Sequence, residues 1–395
     1  MKPTLLLLNN AYCPSVGGVE NSIRHIAGEA CGSGWRVVVV ASDLGVASTQ
    51  RSNKVSQCEV DGLTLYRYPL QPYSGLGVIN VPLSACIKYF LLRELQADHP
   101  GAVVVARFHL SVVLARLAGF RRLSYLVPSI IDSQYRAEAP EKPLGDVVRI
   151  TLKRWFHSIV QKKALHIGNI AVFSESMRRQ CAAFGAIPMH DIQLCRPGLD
   201  RERFHYAAPE RAKELRIELC LPLNRKLVLF TGRFVKAKGV DVLIASLCTL
   251  PLDVDLVLVG EGTEEKAYRK LVAEYALSAD RVHIRPPTSR VEDYYQCCDV
   301  FAMTSVYEPF GQTILEALGS GLPVVAFSKE SGVMTATEEL GFEEFIEFVD
   351  QRDPCALAKA IVRQFEMPEP RRREQSEKAL ATFSWRKLLN ELTTG

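Results

Sequence analysis

The stretch VFAMTSVYEPFGQTILEALGSGLPVVAF, residues 300–327, holds a strand, a loop, a helix, a second loop and a second strand. Residues 300–303 and 323–327 are brief apolar runs, and their length and Val/Phe content mark strands buried on both faces. Between them Ile314, Leu315, Ala317 and Leu318 recur at helical spacing. Two buried strands joined by a helix run parallel, because the helix carries the chain back to the starting edge. The segment is therefore one strand–helix–strand unit of a parallel sheet.

The same alternation extends outward in both directions. A strand follows at 345–349. Upstream come a strand at 227–231, a helix at 240–247, a strand at 256–260, a helix from Glu264 to about Tyr275 and a strand at 282–284. Arg196-Pro197-Gly198-Leu199-Asp200 is turn-rich and reads as a domain boundary. Before it, strands are expected at 4–8, 35–41, 103–106, 125–127 and 170–173. Helices are expected at 19–30, around 82–97 and at 110–118. The predicted fold is α/β: two doubly wound Rossmann-like domains in tandem, facing a central cleft. Residues 368–374, rich in Pro and charge, read as a break before a last helix containing Trp385.

Composition narrows the function. With 48% hydrophobic and 23% charged residues the chain is an ordinary globular protein, and a net charge of +4 over 395 residues gives no case for nucleic acid. The charge is uneven: residues 1–200 hold 22 Lys and Arg against 14 Asp and Glu, a net +8, and the remainder is net −4. A basic first half suits peripheral contact with an anionic membrane or an acidic acceptor, and plain surface charge fits equally well. The cysteine count is odd, eleven, with no Cys-x-x-Cys, which points to a reduced, cytoplasmic protein with small buried thiols. The apolar run 5–8 is too short for a signal-peptide core, and no run reaches the roughly 18 residues of a membrane span. The expected location is the cytoplasm or the inner face of a membrane.

Residues 147–165 place Val148, Leu152, Trp155, Phe156, Ile159 and Val160 in one stripe, with Arg149, Lys153, Arg154, Lys162 and Lys163 around it. Such a helix can lie on a membrane, but the favoured reading packs the stripe on its own domain. Asp253-Val254-Asp255 resembles a metal-binding Asp-x-Asp but opens a strand, and it is read as strand-edge charge. Val259-Gly260-Glu261-Gly262 lacks the third glycine of a dinucleotide loop and is read as a turn.

In open parallel sheets the ligand lies beyond the carboxyl ends of the strands, so the loops after strands matter most. Gly17-Gly18 opens a helix whose free N–H groups suit a phosphate, although a Gly-Gly pair also serves simply to turn the chain. Thr231-Gly232-Arg233-Phe234-Val235-Lys236-Ala237-Lys238-Gly239 interleaves three cations with two glycines after a strand. Arg and Lys there can neutralise a departing diphosphate without a metal, and a solvated basic loop is the plainer alternative. In the opening stretch Glu308 lies in the loop and Glu316 on the helix, seven residues between them. One carboxylate suits a sugar and the other a diol further along the same ligand. The amides of Gly311, Gln312 and Thr313 sit at the helix start, where a phosphate oxygen is welcome. The plainer readings are a helix-start carboxylate for Glu308 and a solvated helix face for Glu316.

These elements together resemble the retaining glycosyltransferases of the GT-B fold, family 4, also called group 1. The resemblance spans nearly the whole chain. It rests on Pro14…Gly17-Gly18-Val19-Glu20, Arg196-Pro197-Gly198-Leu199-Asp200…Phe204, Gly232-Arg233…Lys238-Gly239 and Val259-Gly260-Glu261-Gly262. Its most specific element is Glu308-x7-Glu316, with Pro309-Phe310-Gly311 and Gly321-Leu322-Pro323 beside it. Phe383-Ser384-Trp385 resembles the family's C-terminal segment.

The resemblance implies an acceptor domain at 1–198, a donor domain at 199–375 and a helix at 376–395 that crosses back to the first. It implies transfer from a nucleotide-diphosphate sugar, a UDP-sugar favoured over a GDP-sugar, to a hydroxyl acceptor, with no metal or cofactor. Glu308, Arg233 and Lys238 would act on the sugar and diphosphate. Gly17, Gly18, Arg285, Phe310, Gly311, Gln312, Thr313 and Glu316 would hold the rest of the donor. The family's first-domain histidine has no counterpart in residues 126–132. His109 stands as the catalytic candidate there, with Ser129 and Asp132 as unranked alternatives. The acceptor surface would be the loops around 45–60, 71–80 and 132–146. Two rival readings are a sugar-nucleotide epimerase of the same fold and a non-catalytic nucleotide-sugar-binding partner.

Overall fold

The computed structural model describes residues 2–15, 17–47, 49, 51–73, 80–133, 144–275 and 279–394, and the side chains of 144–149 and 279 lie outside that description. The described residues form two compact units. One takes the chain as far as Gly198 and again from Ser384, and the other takes Leu199–Phe383.

The first unit runs β1 (Thr4–Leu8), α1 (Gly18–Gly32), β2 (Arg36–Ser42), β3 (Ser56–Val60), β4 (Leu63–Tyr68), α2 (Asn80–Asp98), β5 (Val103–Ala106), α3 (His109–Ala118), β6 (Leu123–Leu126), α4 (Leu144–Ala164), β7 (Asn169–Val172), α5 (Glu175–Gly185) and β8 (Ile192–Leu194). Its sheet has the order β3-β4-β2-β1-β5-β6-β7-β8. Leu5 and Leu7 enter one core and Leu6 and Leu8 the other, which is why β1 reads as an unbroken apolar run. The β3–β4 pair is antiparallel, and its turn, Asp61-Gly62, has positive φ at both residues, 51° and 78°. That is the two-residue hairpin chemistry of an Asp-Gly pair. Residues 56–60, expected in an acceptor loop, are thus an edge strand. Most of the other two expected loops, 74–79 and 134–143, lies outside the described residues.

The second unit runs α6 (Pro209–Glu218), β9 (Lys226–Thr231), α7 (Val240–Ser246), β10 (Val254–Val259), α8 (Glu265–Glu274), β11 (Val282–Arg285), α9 (Glu292–Cys297), β12 (Val300–Met303), β13 (Tyr307–Glu308), α10 (Gln312–Gly319), β14 (Val324–Phe327), β15 (Met334–Thr335), β16 (Ile346–Val349), α11 (Pro354–Gln364) and α12 (Glu369–Thr382). Its parallel sheet has the order β11-β10-β9-β12-β14-β16, and β13 pairs with β15 apart from it. The last helix, α13 (Trp385–Thr393), belongs to the first unit, where Trp385, Leu388, Leu389 and Leu392 join the core that holds Ile23 and Ile26 of α1. Trp385 stacks on His25 with ring centroids 5.0 Å apart, and it fills the space that any side chain at residue 198 would need, hence Gly198.

Several expectations are corrected. Residues 368–374 do not break the chain: α12 starts there with proline in its first turn, where the missing N–H costs nothing, so the expected boundary at 375/376 falls inside a helix. Asp255 is not edge charge, because β10 lies inside the sheet. Its carboxylate is fully buried and held by Arg225 Nε at 2.6 Å and His283 Nε2 at 2.9 Å. Of the eleven cysteines, all free, only Cys181, Cys195, Cys297 and Cys298 are buried.

Helix α4 also differs from expectation. Its polar side faces the unit. The Gln161 amide donates to the Tyr125 hydroxyl at 3.2 Å and the Ser129 carbonyl at 2.8 Å, and its oxygen accepts from Ile131 N at 2.9 Å. Arg154 pairs with Asp132 at 2.9 Å. The apolar stripe points outward instead, with Leu152, Trp155, Phe156 and Ile159 at 66%, 63%, 44% and 37% exposure.

Candidate functional site

In the second unit the chain leaves β9 toward β10 on one side, and β12 leads to β14 on the other. β9 and β12 are neighbours, so the strand order reverses between them and the loops after Thr231 and Met303 open side by side. That crevice is where an open α/β sheet receives a ligand. The two loops are the ones that carry Arg233 and Lys238 and, on the other side, Glu308.

Backbone contacts hold them together. Val306 N donates to Ala237 O at 2.8 Å and Thr304 Oγ1 to Lys238 O at 2.9 Å. Gly239 turns with φ +59°, and a side chain there would overlap the Thr304 carbonyl. The β13–β15 pairing anchors Tyr307 and Glu308 from the far side. The result is an ion pair between the Lys238 ammonium and the Glu308 carboxylate, with side chains 17% and 16% exposed. A desolvated cation and anion satisfy each other here, and a ligand carrying both phosphates and hydroxyls can take over both partners. Gly311, φ +84°, caps α10 beside the Glu308 side chain and Met303. Thr313 donates to the Met303 sulfur at 3.8 Å, and Phe310 packs on the core. Arg233 is exposed on the loop after β9.

Glu316, on α10, lies at the end of a buried hydroxyl chain. The Tyr295 hydroxyl donates to its carboxylate at 2.9 Å and is itself bonded to Thr231 Oγ1. Burial pushes the Glu316 carboxyl up to about 7, opposed by the Tyr295 hydrogen bond and the Arg203 charge. Arg203 in turn pairs with Glu292 and donates to Ser289 O at 2.6 Å. Tyr295 and Arg203 were not singled out from sequence, and Thr231 stood there only as the first residue of the basic loop. The one signal was Phe204 in the boundary motif, whose ring meets Tyr295 edge-on at 5.6 Å. A cavity of about 420 Å³ beside Arg203 and Glu292 includes none of Arg233, Lys238, Glu308 or Glu316 in its lining.

Arg285 ends β11, its guanidinium on Cys220 O at 3.3 Å and its carbonyl accepting from Gly260 N at 3.0 Å. Gly260, φ +154°, brings the loop after β10 against the loop after β9, and a side chain there would overlap the Gly232 carbonyl. Gly260→Ala is expected to cost about 2 kcal/mol or more, read as a fall of roughly 4–8 °C in Tm.

In the first unit the strand order reverses between β2 and β5 around β1, and the chain after β1 leads to Gly17 and Gly18. Gly17 is the N-cap of α1, and a side chain on it would overlap the Glu20 carboxylate, which lies in the first turn of the same helix. His109 starts α3, is only 3% exposed, and its Nε2 lies 2.8 Å from His157 Nδ1. Burial first, then His157 and Lys88, push it down to about 3, so it is neutral near pH 7. Buried Lys88, also not singled out, donates to Ser111 Oγ at 2.5 Å and Tyr68 Oη at 3.1 Å, and burial pulls it down to about 7. Its one signal is a lone cation inside the apolar run 85–92.

Comparison with known proteins places this geometry. The family described as glycosyl transferases group 1 matches residues 212–381, and the glycosyl transferase 4-like domain matches 17–198. A D-inositol 3-phosphate glycosyltransferase of Xylanimonas cellulosilytica is 38% identical over 178 residues, 43% of this chain and 42% of that protein. One from Acidothermus cellulolyticus is 27% identical over 370 residues, 89% and 78%. The chain spans about half the length of the first curated relatives it matches. Among solved structures, sucrose-phosphate synthase from Thermosynechococcus elongatus superposes with TM-score 0.77 at 21% identity, covering 100% of this chain and 98% of that one. Anabaena HepE in complex with UDP and glucose gives 0.74 at 20%, covering 99% and 97%. These likenesses establish the GT-B fold, with its two Rossmann-like domains, and with the matches along both halves they show that the chain belongs to the group 1 glycosyltransferases.

Proposed function

We propose that the chain transfers a sugar from a nucleotide-diphosphate sugar, a UDP-sugar first and a GDP-sugar second, to an acceptor hydroxyl with retention of configuration and without a metal. The acceptor is a glycan, a glycolipid or a small metabolite. The observation that carries this reading is the Lys238–Glu308 pair at the strand-order reversal, with Glu316 on α10, the short helix that follows Glu308 in the chain. The Anabaena relative's complex with UDP and glucose supports the choice of nucleotide. The relatives' names make inositol phosphate the first acceptor to try.

In this reading Glu316 holds the ribose diol, the amides of Gly311, Gln312 and Thr313 meet the phosphate, and Glu308 meets the sugar. Arg233 and Lys238 neutralise the charge that grows on the diphosphate as its bond to the anomeric carbon breaks. The acceptor oxygen attacks from the face the leaving group vacates, and the departing phosphate oxygen takes the acceptor proton. His109, buried and neutral, fits a supporting place behind the first unit's surface better than contact with the sugar.

The test is a panel of nucleotides and nucleotide sugars scored by thermal stabilisation, since a ligand at about 100 times its Kd adds roughly 2.7 kcal/mol to the native state. A UDP compound is expected to raise Tm most. Product formed with acceptor should keep the donor's anomeric configuration by NMR. An epimerised donor formed without acceptor would favour the epimerase instead.

A further inference from the structure

We infer that the outward face of α4 docks on an anionic lipid bilayer. At 3.6 residues per turn, Leu152, Trp155, Phe156, Ile159 and Lys163 share one face, with Lys153 on one flank and Lys162 on the other. All three lysines are exposed, as are the four apolar side chains. The helix cannot roll to bury them. Its opposite side is fixed by the three hydrogen bonds of Gln161, the His157–His109 contact and the Arg154–Asp132 pair. Soluble helices bury their apolar side and show their polar one, and α4 does the reverse, so its free face is built for a non-aqueous neighbour.

Charge selects the neighbour. Residues 147–165 hold five basic residues and no acidic one, within a first half that is net +8. Tryptophan and phenylalanine at the water–lipid boundary, with lysine stems reaching back to headgroup phosphates, are the chemistry of a helix lying in the bilayer interface. A protein partner fits less well, because four side chains on one helix fall short of the roughly 800 Å² per partner of a stable interface. The surface is independent of the donor-site reading, and vesicle binding reports nothing about transfer.

The full chain is mixed with vesicles of phosphatidylcholine, with and without phosphatidylglycerol, and sedimented. Binding is expected only to the anionic vesicles and to weaken with salt. Trp155 fluorescence should shift to the blue on binding, a shift absent in Trp155→Phe. Leu152→Glu with Trp155→Glu should abolish binding. Lys162→Gln with Lys163→Gln should lower the partition coefficient about 30-fold, roughly fivefold per lysine. Both double variants alter exposed side chains and should keep the wild-type Tm. Absence of binding to anionic vesicles, equal binding to pure phosphatidylcholine, or unchanged binding by the double variants would overturn the inference. So would a wild-type dimer that Leu152→Glu with Trp155→Glu converts to monomer, which would make this face a self-contact.

Discussion

Lys238→Ala is expected to lower kcat by roughly 10²–10³-fold while the protein stays folded. The ammonium sits where the chain leaves β9, on a turn stitched to the Glu308 loop by backbone bonds that the substitution does not touch. What is lost is a preorganised cation, and its value is greatest when diphosphate charge is greatest, so the loss falls on kcat more than on KM. Glu308→Ala should fall by a similar factor. The two side chains are partners in the free protein, so the double variant should lose far less than the product of the single losses. Turnover near wild type in both single variants would remove the assignment.

Glu316→Gln should weaken donor binding about 10–100-fold and, at the same time, make the ligand-free protein more stable above neutral pH. The first effect is the loss of charge-assisted bonds to a diol. The second follows from the raised carboxyl, at about 7 in the fold against 4.5 in the open chain. Between those values the unfolded chain releases a proton that the folded protein keeps, so wild-type stability falls as pH rises through the window. Above about 7 the full penalty is present, and below about 4.5 it vanishes. Glutamine never ionises and can still accept from Tyr295, so the variant should gain about 3 kcal/mol at pH 8 and almost nothing at pH 4. Urea unfolding at both values checks it. Equal stability of the two proteins at pH 8 would mean that Glu316 is well solvated.

The strand–helix alternation was legible because strands buried on both faces have no polar positions to blur them: β1, β5 and β12 fall on the expected residues. The hairpin β3–β4 escaped notice because Ser56–Val60 is an exposed edge with little apolar pattern, although Asp61-Gly62 marked its turn. Periodicity told that the apolar residues of α4 share a face but not which way that face points. That depended on Gln161, His157 and Arg154 finding partners on other elements. Asp255 was misplaced for a related reason, since strand order, not local sequence, puts β10 between two neighbours. In the site, Glu308 and Glu316 were readable from their own helix and loop. Lys238 was readable in its basic loop, but its pairing with Glu308, 70 residues away, was not, and neither was Tyr295, 21 residues from Glu316.

A crystal structure of the chain with UDP bound tests the central claim most directly. It should show the ribose hydroxyls within hydrogen-bond distance of Glu316 and the diphosphate oxygens on Lys238 and Arg233, with the Lys238–Glu308 pair opened. A nucleotide seated elsewhere, leaving that pair and the Glu316 carboxylate untouched, would contradict it.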